Sequence, residues 1–68
     1  MTYRELTRKL RALGCEFKRA SKGSHEIWVN SRLNLTTVIP HHPGDIPKGT
    51  LHAILRQLGI SPDEFAKA

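Results

Sequence analysis

The spacing of the apolar residues changes twice along this chain of 68 residues. In the first part, three leucines recur at intervals of four and three positions, which is the period of an amphipathic helix: Leu6, Leu10 and Leu13. Thr2 and Glu5 stand at the two positions of a capping box, and Gly14 stands where a helix commonly ends. We therefore predict a helix over residues 3 to 13.

The middle of the chain has a period of two instead. Residues 15–20 and 24–30 alternate between apolar and polar side chains, and residues 35–39 are rich in β-branched side chains. The turn residues at 21–23 and the polar segment at 30–34 separate these runs. This pattern predicts a meander of three antiparallel strands.

Helical spacing returns after the segment 41–47, in which two prolines and a glycine exclude regular structure. The apolar residues of this second helix are Leu51, Ile54, Leu55 and Leu58. We expect the helix to begin between Pro47 and Thr50 and to end at Gly59.

A third and shorter helix is predicted at the end of the chain. Ser61 and Glu64 repeat the capping-box spacing, and Pro62 stands at the first helical position. The order is then helix, three strands, helix and short helix, an α+β fold in which the helices cover one face of the sheet. We expect residues 1–68 to form one domain.

The two faces of the second strand carry different side chains. His25, Ile27 and Val29 share one face, which we assign to the helices, and Glu26 and Trp28 share the other. On an open face the Trp28 ring would stack on a base or anchor a protein partner. The alternative is that this ring packs in the core. Because Glu26 points away from His25, we do not expect it to orient the imidazole.

The positive charge is concentrated in the first half of the chain. Residues 1–32 carry eight Lys and Arg against three Glu, a net +5, whereas the remaining three basic and three acidic residues cancel. Such a field favours a polyanion, and nucleic acid is the commonest one in a cell. The alternative is a basic surface that only keeps the protein in solution.

Cys15 is the only cysteine, so the chain cannot form an internal disulfide. We expect it to be a small buried residue in a protein of a reducing compartment. No run reaches the roughly 18 apolar residues that span a bilayer. These features predict a cytoplasmic protein with no membrane partner.

His25 is the main candidate for catalysis. RNA carries its own nucleophile, the 2′-hydroxyl, so its cleavage requires only proton transfer and stabilisation of charge on the phosphate. An imidazole transfers protons near neutral pH, and Arg19, Lys22 or Arg32 would supply positive charge. Gly23 permits close approach of a phosphate, and the Ser24 hydroxyl would orient the ring or the substrate. The alternative is an ordinary strand histidine.

The loop before the second helix holds two further histidines, His41 and His42. One of them would help to hold a phosphate at the helix N-terminus, close to Lys48; the alternative is a solvated loop. The histidines and Cys15 do not have the paired spacing of a zinc site, so we predict no metal and no cofactor.

Several motifs in the same order resemble the HicA family of type II toxin–antitoxin systems over residues 3–65. They are Gly14 after the leucine-rich helix, Lys22-Gly23-Ser24-His25, Pro40-His41-His42, and Pro47-Lys48-Gly49-Thr50-Leu51 with the continuation Ile54 to Ser61. The resemblance implies a fold similar to the double-stranded-RNA-binding domain and an mRNA interferase activity. It also implies an antitoxin of the HicB type that covers the active site, with the free toxin a monomer.

The family's catalytic histidine follows Gly-Ser and maps onto His25, and its histidine two places after proline maps onto His42. We expect the following residues to contact RNA: Arg4, Arg8, Arg11, Arg19, Lys22, Gly23, Ser24, His42 and Lys48. The residues alone are also compatible with two other functions. One is a non-catalytic domain that binds double-stranded RNA, and the other is a module that binds an acidic protein.

Overall fold

The chain folds in the predicted order, and the α+β class is confirmed. The computed structural model describes residues 1–41 and 43–68. Its elements are α1 (Tyr3–Ala12), β1 (Cys15–Ala20), β2 (His25–Asn30), β3 (Leu35–Pro40), α2 (Lys48–Leu58) and α3 (Pro62–Lys67). Within the described ranges, no helix is long and apolar enough to cross a membrane.

The ends of the helices follow the local signals in the sequence. Thr2 and Glu5 form the reciprocal bonds of a capping box at the start of α1, and Ser61 and Glu64 do the same at α3. Gly59 ends α2 in the left-handed conformation, with φ of 70°. Each of these devices satisfies backbone groups that a helix end would otherwise leave unpaired.

The three strands form an antiparallel sheet in the order β1-β2-β3. A bulge at Lys18, between Phe17 and Arg19, shifts the register of the first pair. In the second pair, Glu26 lies opposite Ile39, and Trp28 lies opposite Thr37. This register fixes which side chains share a face.

The prediction of which face of β2 meets the helices is wrong. Trp28 and Asn30 are fully buried beneath the helices, whereas Ile27 and Val29 are half-buried on the open face. The tryptophan offers the larger apolar surface, and Asn30 pairs its Nδ2 with the carbonyl oxygen of Leu58 at 2.8 Å. The alternative reading of Trp28, as a core residue, is the correct one.

The core lies between this face of the sheet and the helices. Its largest buried side chains besides Trp28 and Asn30 are Leu6, Leu10, Ile39 and Leu58. Cys15 is buried among the apolar residues, as predicted. The Lys9 ammonium donates to the carbonyl oxygen of Phe65 at 3.2 Å and lies 4.8 Å from the centre of that ring, which attaches α3 to α1.

Ala20, His25 and Pro40 form one end of the sheet, the His25 end. Several connections bring other segments to it. The amide of His41 donates to the Ser24 carbonyl oxygen at 2.8 Å, and the amide of Ile46 donates to that of Met1 at 2.7 Å. The His25 end therefore gathers the start of α1, the β1–β2 turn and the loop that leads to α2.

Candidate active site at the His25 end of the sheet

His25 is the first residue of β2, and its side chain is exposed. The turn before it depends on Gly23, whose φ of 59° favours glycine. The Nδ1 atom of His25 lies 3.2 Å from the Lys22 carbonyl oxygen. A carbonyl oxygen can only accept, so Nδ1 carries the hydrogen and Nε2 is left to exchange protons with a ligand.

The structure places His25 on the open face of the sheet, not on the face of the helices as predicted from the sequence. His25 lies opposite Pro40, and its neighbours on that face are Ile27 and Val38. Arg19 lies opposite Ile27 and shares the same face. The imidazole is therefore reached from solvent across the sheet, with a guanidinium on the neighbouring strand.

The predicted RNA contacts divide into two groups. Arg4, Arg19, Lys22, Gly23 and Ser24 are exposed on segments that meet at the His25 end, and Lys48 is exposed at the start of α2. Arg8 and Arg11 follow on α1, and the rise of 1.5 Å per residue puts Arg11 roughly 10 Å from Arg4 along the axis. The Arg11 guanidinium also lies 5.0 Å from the Trp28 ring centre, so it covers the core. The predicted contact at His42 lies outside the described residues.

Glu26 is the centre of a cluster that the sequence analysis missed. Its Oε1 accepts a hydrogen bond from the Tyr3 hydroxyl at 2.6 Å and another from Trp28 Nε1 at 3.0 Å. Its Oε2 lies 3.1 Å from His41 Nδ1. Burial raises the pKa of the Glu26 carboxyl, but the bonds from Tyr3, Trp28 and His41 outweigh burial and hold that pKa below its usual value.

Tyr3 connects this cluster to α1. Its ring is stacked on His41, with ring centres 3.8 Å apart and planes 8° from parallel. Burial, and then the bond to Glu26, raise the pKa of Tyr3 to about 12, so the hydroxyl is a donor at neutral pH. The His41 ring is thus held on one face by Tyr3 and at Nδ1 by Glu26.

An open groove of about 430 Å³ runs beside this cluster. It is lined by Thr2, Tyr3, Arg4, His41, Pro43 and Gly44. His41 was a predicted phosphate contact because it lies in the loop before α2, but no local signal joins it to Tyr3 or Glu26. The expectation that Glu26 does not orient His25 agrees with the structure, because its three bonds go to other residues.

Comparison with known proteins supports the resemblance noted from the motifs. Residues 3–60 match the family described as "HicA toxin of bacterial toxin-antitoxin". The match covers the greater part of the chain and spans α1, the sheet and α2. No curated protein matches the chain.

Proposed function

Because the chain belongs to the HicA family, the toxins of bacterial toxin–antitoxin systems, we propose that it is an mRNA interferase in which His25 transfers a proton. The observation that carries the proposal is the exposed imidazole of His25, whose Nδ1 is bound to a carbonyl oxygen. Its Nε2, which has no hydrogen-bond partner among residues 1–41 and 43–68, lies at the sheet end that also carries Arg19 and Lys22. An enzyme that cuts mRNA works where mRNA is, so we propose a cytoplasmic toxin.

The proposed reaction uses the 2′-hydroxyl of the substrate as the nucleophile. As its oxygen attacks phosphorus, the bond from phosphorus to the 5′-oxygen of the next nucleotide breaks. The products are a 2′,3′-cyclic phosphate and a 5′-hydroxyl. His25 accepts or donates one of the two protons that move, at Nε2. Because RNA supplies the nucleophile, the scheme requires no metal ion.

The basic surface provides the grip on the RNA backbone. We propose that residues near the His25 end contact the phosphates around the scissile bond: Arg4, Arg19, Lys22, Gly23, Ser24 and Lys48. Arg8 and Arg11 extend this surface along α1, and His42 belongs to the same set on the family motif. Phosphate contacts of this kind are salt-dependent and carry little sequence information.

The test is to incubate the purified protein with a defined RNA in the presence of EDTA and to map the product ends. We expect cleavage with cyclic phosphate ends, and loss of at least about a hundred-fold in rate for His25→Ala. His52→Ala is the matched control, because His52 is exposed on α2 beside Arg56 and Pro62 and belongs neither to the Glu26 cluster nor to the predicted RNA contacts. Its rate should equal that of the parent.

Three results would contradict the proposal. Loss of cleavage on chelation would overturn the metal-free scheme, and a His25→Ala variant as fast as the parent would remove His25 from the chemistry. Salt-sensitive RNA binding without any cleavage by the parent would favour the non-catalytic RNA-binding domain instead.

A toxin of such a system has an antitoxin partner, and we propose that a HicB-type antitoxin docks on the open face of the sheet. The apolar side chains of that face are Ile27, Val29 and Val38, and Val38 is 47% exposed. They adjoin His25, so a protein bound there would cover the imidazole. The net charge of +5 favours an acidic partner.

Substitution of Val38 separates this interface from the chemistry. Val38→Glu should weaken binding of the antitoxin by about ten-fold or more, because the buried carboxylate would lack a partner. RNA cleavage should fall far less than in His25→Ala, because Val38 takes no part in proton transfer, and His52→Glu should change neither activity. Unaltered antitoxin affinity in Val38→Glu would place the interface elsewhere.

A further inference from the structure

Two histidines at the His25 end are held in the same way. In His25, Nδ1 is bound to the Lys22 carbonyl oxygen at 3.2 Å, and in His41, Nδ1 is bound to Glu26 Oε2 at 3.1 Å. Both acceptors lack a proton, so each ring carries its hydrogen on Nδ1. Among residues 1–41 and 43–68, neither Nε2 has a hydrogen-bond partner. Each ring therefore presents one nitrogen that can accept or donate a proton.

The backbone brings these two rings to opposite sides of one sheet end. His25 lies opposite Pro40, and the His41 amide is bonded to the neighbouring Ser24 carbonyl. Directly opposed residues of antiparallel strands are roughly 5 Å apart at Cα, so the two histidines are close neighbours across the sheet. His25 projects on the open face, whereas His41 projects on the helix side, where it stacks on Tyr3.

This placement meets the demand of an in-line displacement at phosphorus. The attacking 2′-oxygen and the departing 5′-oxygen lie on opposite sides of the phosphorus atom, so the two proton-transfer groups must flank the phosphate. A phosphodiester crossing the sheet end would have His25 on one side and His41 on the other.

We propose that His41, positioned by Glu26 and Tyr3, is the general acid that protonates the departing 5′-oxygen, with His25 as the general base. This inference rests on the proposed ribonuclease function. His25 Nε2 takes the proton of the 2′-hydroxyl as the new O2′–P bond forms. His41 Nε2 gives its proton to the 5′-oxygen as the P–O5′ bond breaks, and solvent later restores both rings.

The partners of the two rings decide which residue has which role. Glu26 is a carboxylate and compensates the charge of a protonated His41, whereas the Lys22 carbonyl is neutral. The groove beside His41 also contains Arg4, which would hold a phosphate of the leaving strand. In the part of the chain that the structure describes, the charged or titratable groups around His41 are Glu26 on β2, and Tyr3 and Arg4 on α1.

A change of leaving group distinguishes this role from a structural one. The rates of His41→Gln, His25→Gln and the control His52→Gln are measured on RNA and on a nucleoside 3′-(para-nitrophenyl phosphate), whose leaving group departs without protonation. His41→Gln should lose about a hundred-fold or more on RNA and regain nearly the parent rate on the nitrophenyl ester. His25→Gln should be slow on both substrates. Affinity for an all-2′-deoxy strand of the same sequence should change less than about three-fold in His41→Gln.

Glu26→Gln tests the positioning role. It should slow RNA cleavage by about ten-fold and leave the nitrophenyl ester rate near that of the parent. The parent provides a measurement that needs no variant. Its rate on RNA should fall on the alkaline side as the acid loses its proton, and its rate on the nitrophenyl ester should not.

The possible failures are distinguishable. A parent that cleaves RNA, with His41→Gln equally fast, would overturn the role of His41 and leave the proposed function intact. A His41→Gln variant that stays slow on the nitrophenyl ester, or a parent with the same alkaline limb on both substrates, would exclude the general-acid role. A parent that cuts no RNA would overturn the proposed function and this inference together.

Discussion

The ionisation of Tyr3 provides a direct test of the Glu26 cluster. Tyr3 is the only tyrosine of the chain, so the ultraviolet absorbance of tyrosinate reports one identified hydroxyl. Burial and the 2.6 Å bond to Glu26 raise the pKa of Tyr3 from 10.0 to about 12. We expect the folded protein to titrate with a midpoint about 12, and the unfolded chain near 10.0.

This shift also predicts how stability depends on alkaline pH. A shift from 10.0 to about 12 corresponds to about 2.7 kcal/mol between the two ionisation states. Solvent reaches the half-buried Tyr3 side chain and screens part of this energy difference. We therefore expect the bonded hydroxyl to contribute about 1 kcal/mol to the free energy of unfolding. Because the folded pKa is the higher one, the contribution is complete below pH 10.0 and is lost as pH rises toward about 12.

Two variants isolate the contribution. Glu26→Gln should lower the Tyr3 midpoint toward 10.0 without reaching it, because burial persists. Tyr3→Phe should reduce the free energy of urea unfolding by about 1 kcal/mol at neutral pH, with the difference from the parent vanishing at high pH. A midpoint near 10.0 in the folded parent would mean that the hydroxyl is not bonded to Glu26 in solution. Tyr3 and Glu26 would then not be held together, and the proposed positioning of His41 would fail as well.

Four further predictions concern stability in urea unfolding. Gly59→Ala should lower the free energy of unfolding by about 1 to 2 kcal/mol, because φ is 70° and the new Cβ would lie 2.8 and 2.9 Å from methyl carbons of Leu33 and Leu35. Gly49→Ala is the control and should leave that free energy unchanged, because the space around Gly49 is open and its φ is negative. Asn30→Ala should cost about 2 to 3 kcal/mol, because it removes a buried bond to the end of α2; a cost below that of Gly59→Ala would contradict this. Ser61→Ala should cost about 1 kcal/mol through loss of the α3 cap, and an unchanged midpoint would show that α3 contributes little. The lowered pKa of Glu26 contributes stability above pH 4.5 that is lost as pH falls through the lower folded value, so Glu26→Gln should lose less stability on acidification than the parent.

Local signals in the sequence were sufficient for the elements of the fold. Each helix end depends on residues no more than four positions apart, as with Thr2 and Glu5, and the alternating runs gave the strands within a residue of their observed bounds. The face of β2 could not be predicted in this way. Alternation shows which side chains share a face, but which face is buried depends on elements that pack from elsewhere in the chain. Here Trp28 and its acceptor Glu26 lie on the same face of β2, and burial of the large indole ring places that face against the helices.

Local signals in the sequence also predicted only part of the candidate site. His25 and the basic residues were found from the Gly-Ser-His turn and the charge distribution, because those signals are local. The cluster of Tyr3, Glu26 and His41 was missed, because its members are separated by 23 and 15 positions. They meet only through the β2–β3 register and the packing of α1 on the sheet, neither of which has a signature in the sequence of these residues.

An ionised carboxylate at the position of Glu26 requires several hydrogen-bond donors around it. The carboxylate is only 16% exposed, and an ionised group in such a place must be compensated by donors that are themselves withdrawn from water. An apolar residue at this position would avoid the cost of withdrawing an ion from water, but it would leave the Trp28 indole N–H and the Tyr3 hydroxyl without their acceptor. A carboxylate is required, however, if the imidazole of His41 must keep its hydrogen on Nδ1 and carry a positive charge during the reaction. Glu26 therefore has two physical reasons for its position: it satisfies the buried Trp28 indole N–H, and in the proposed mechanism it orients His41.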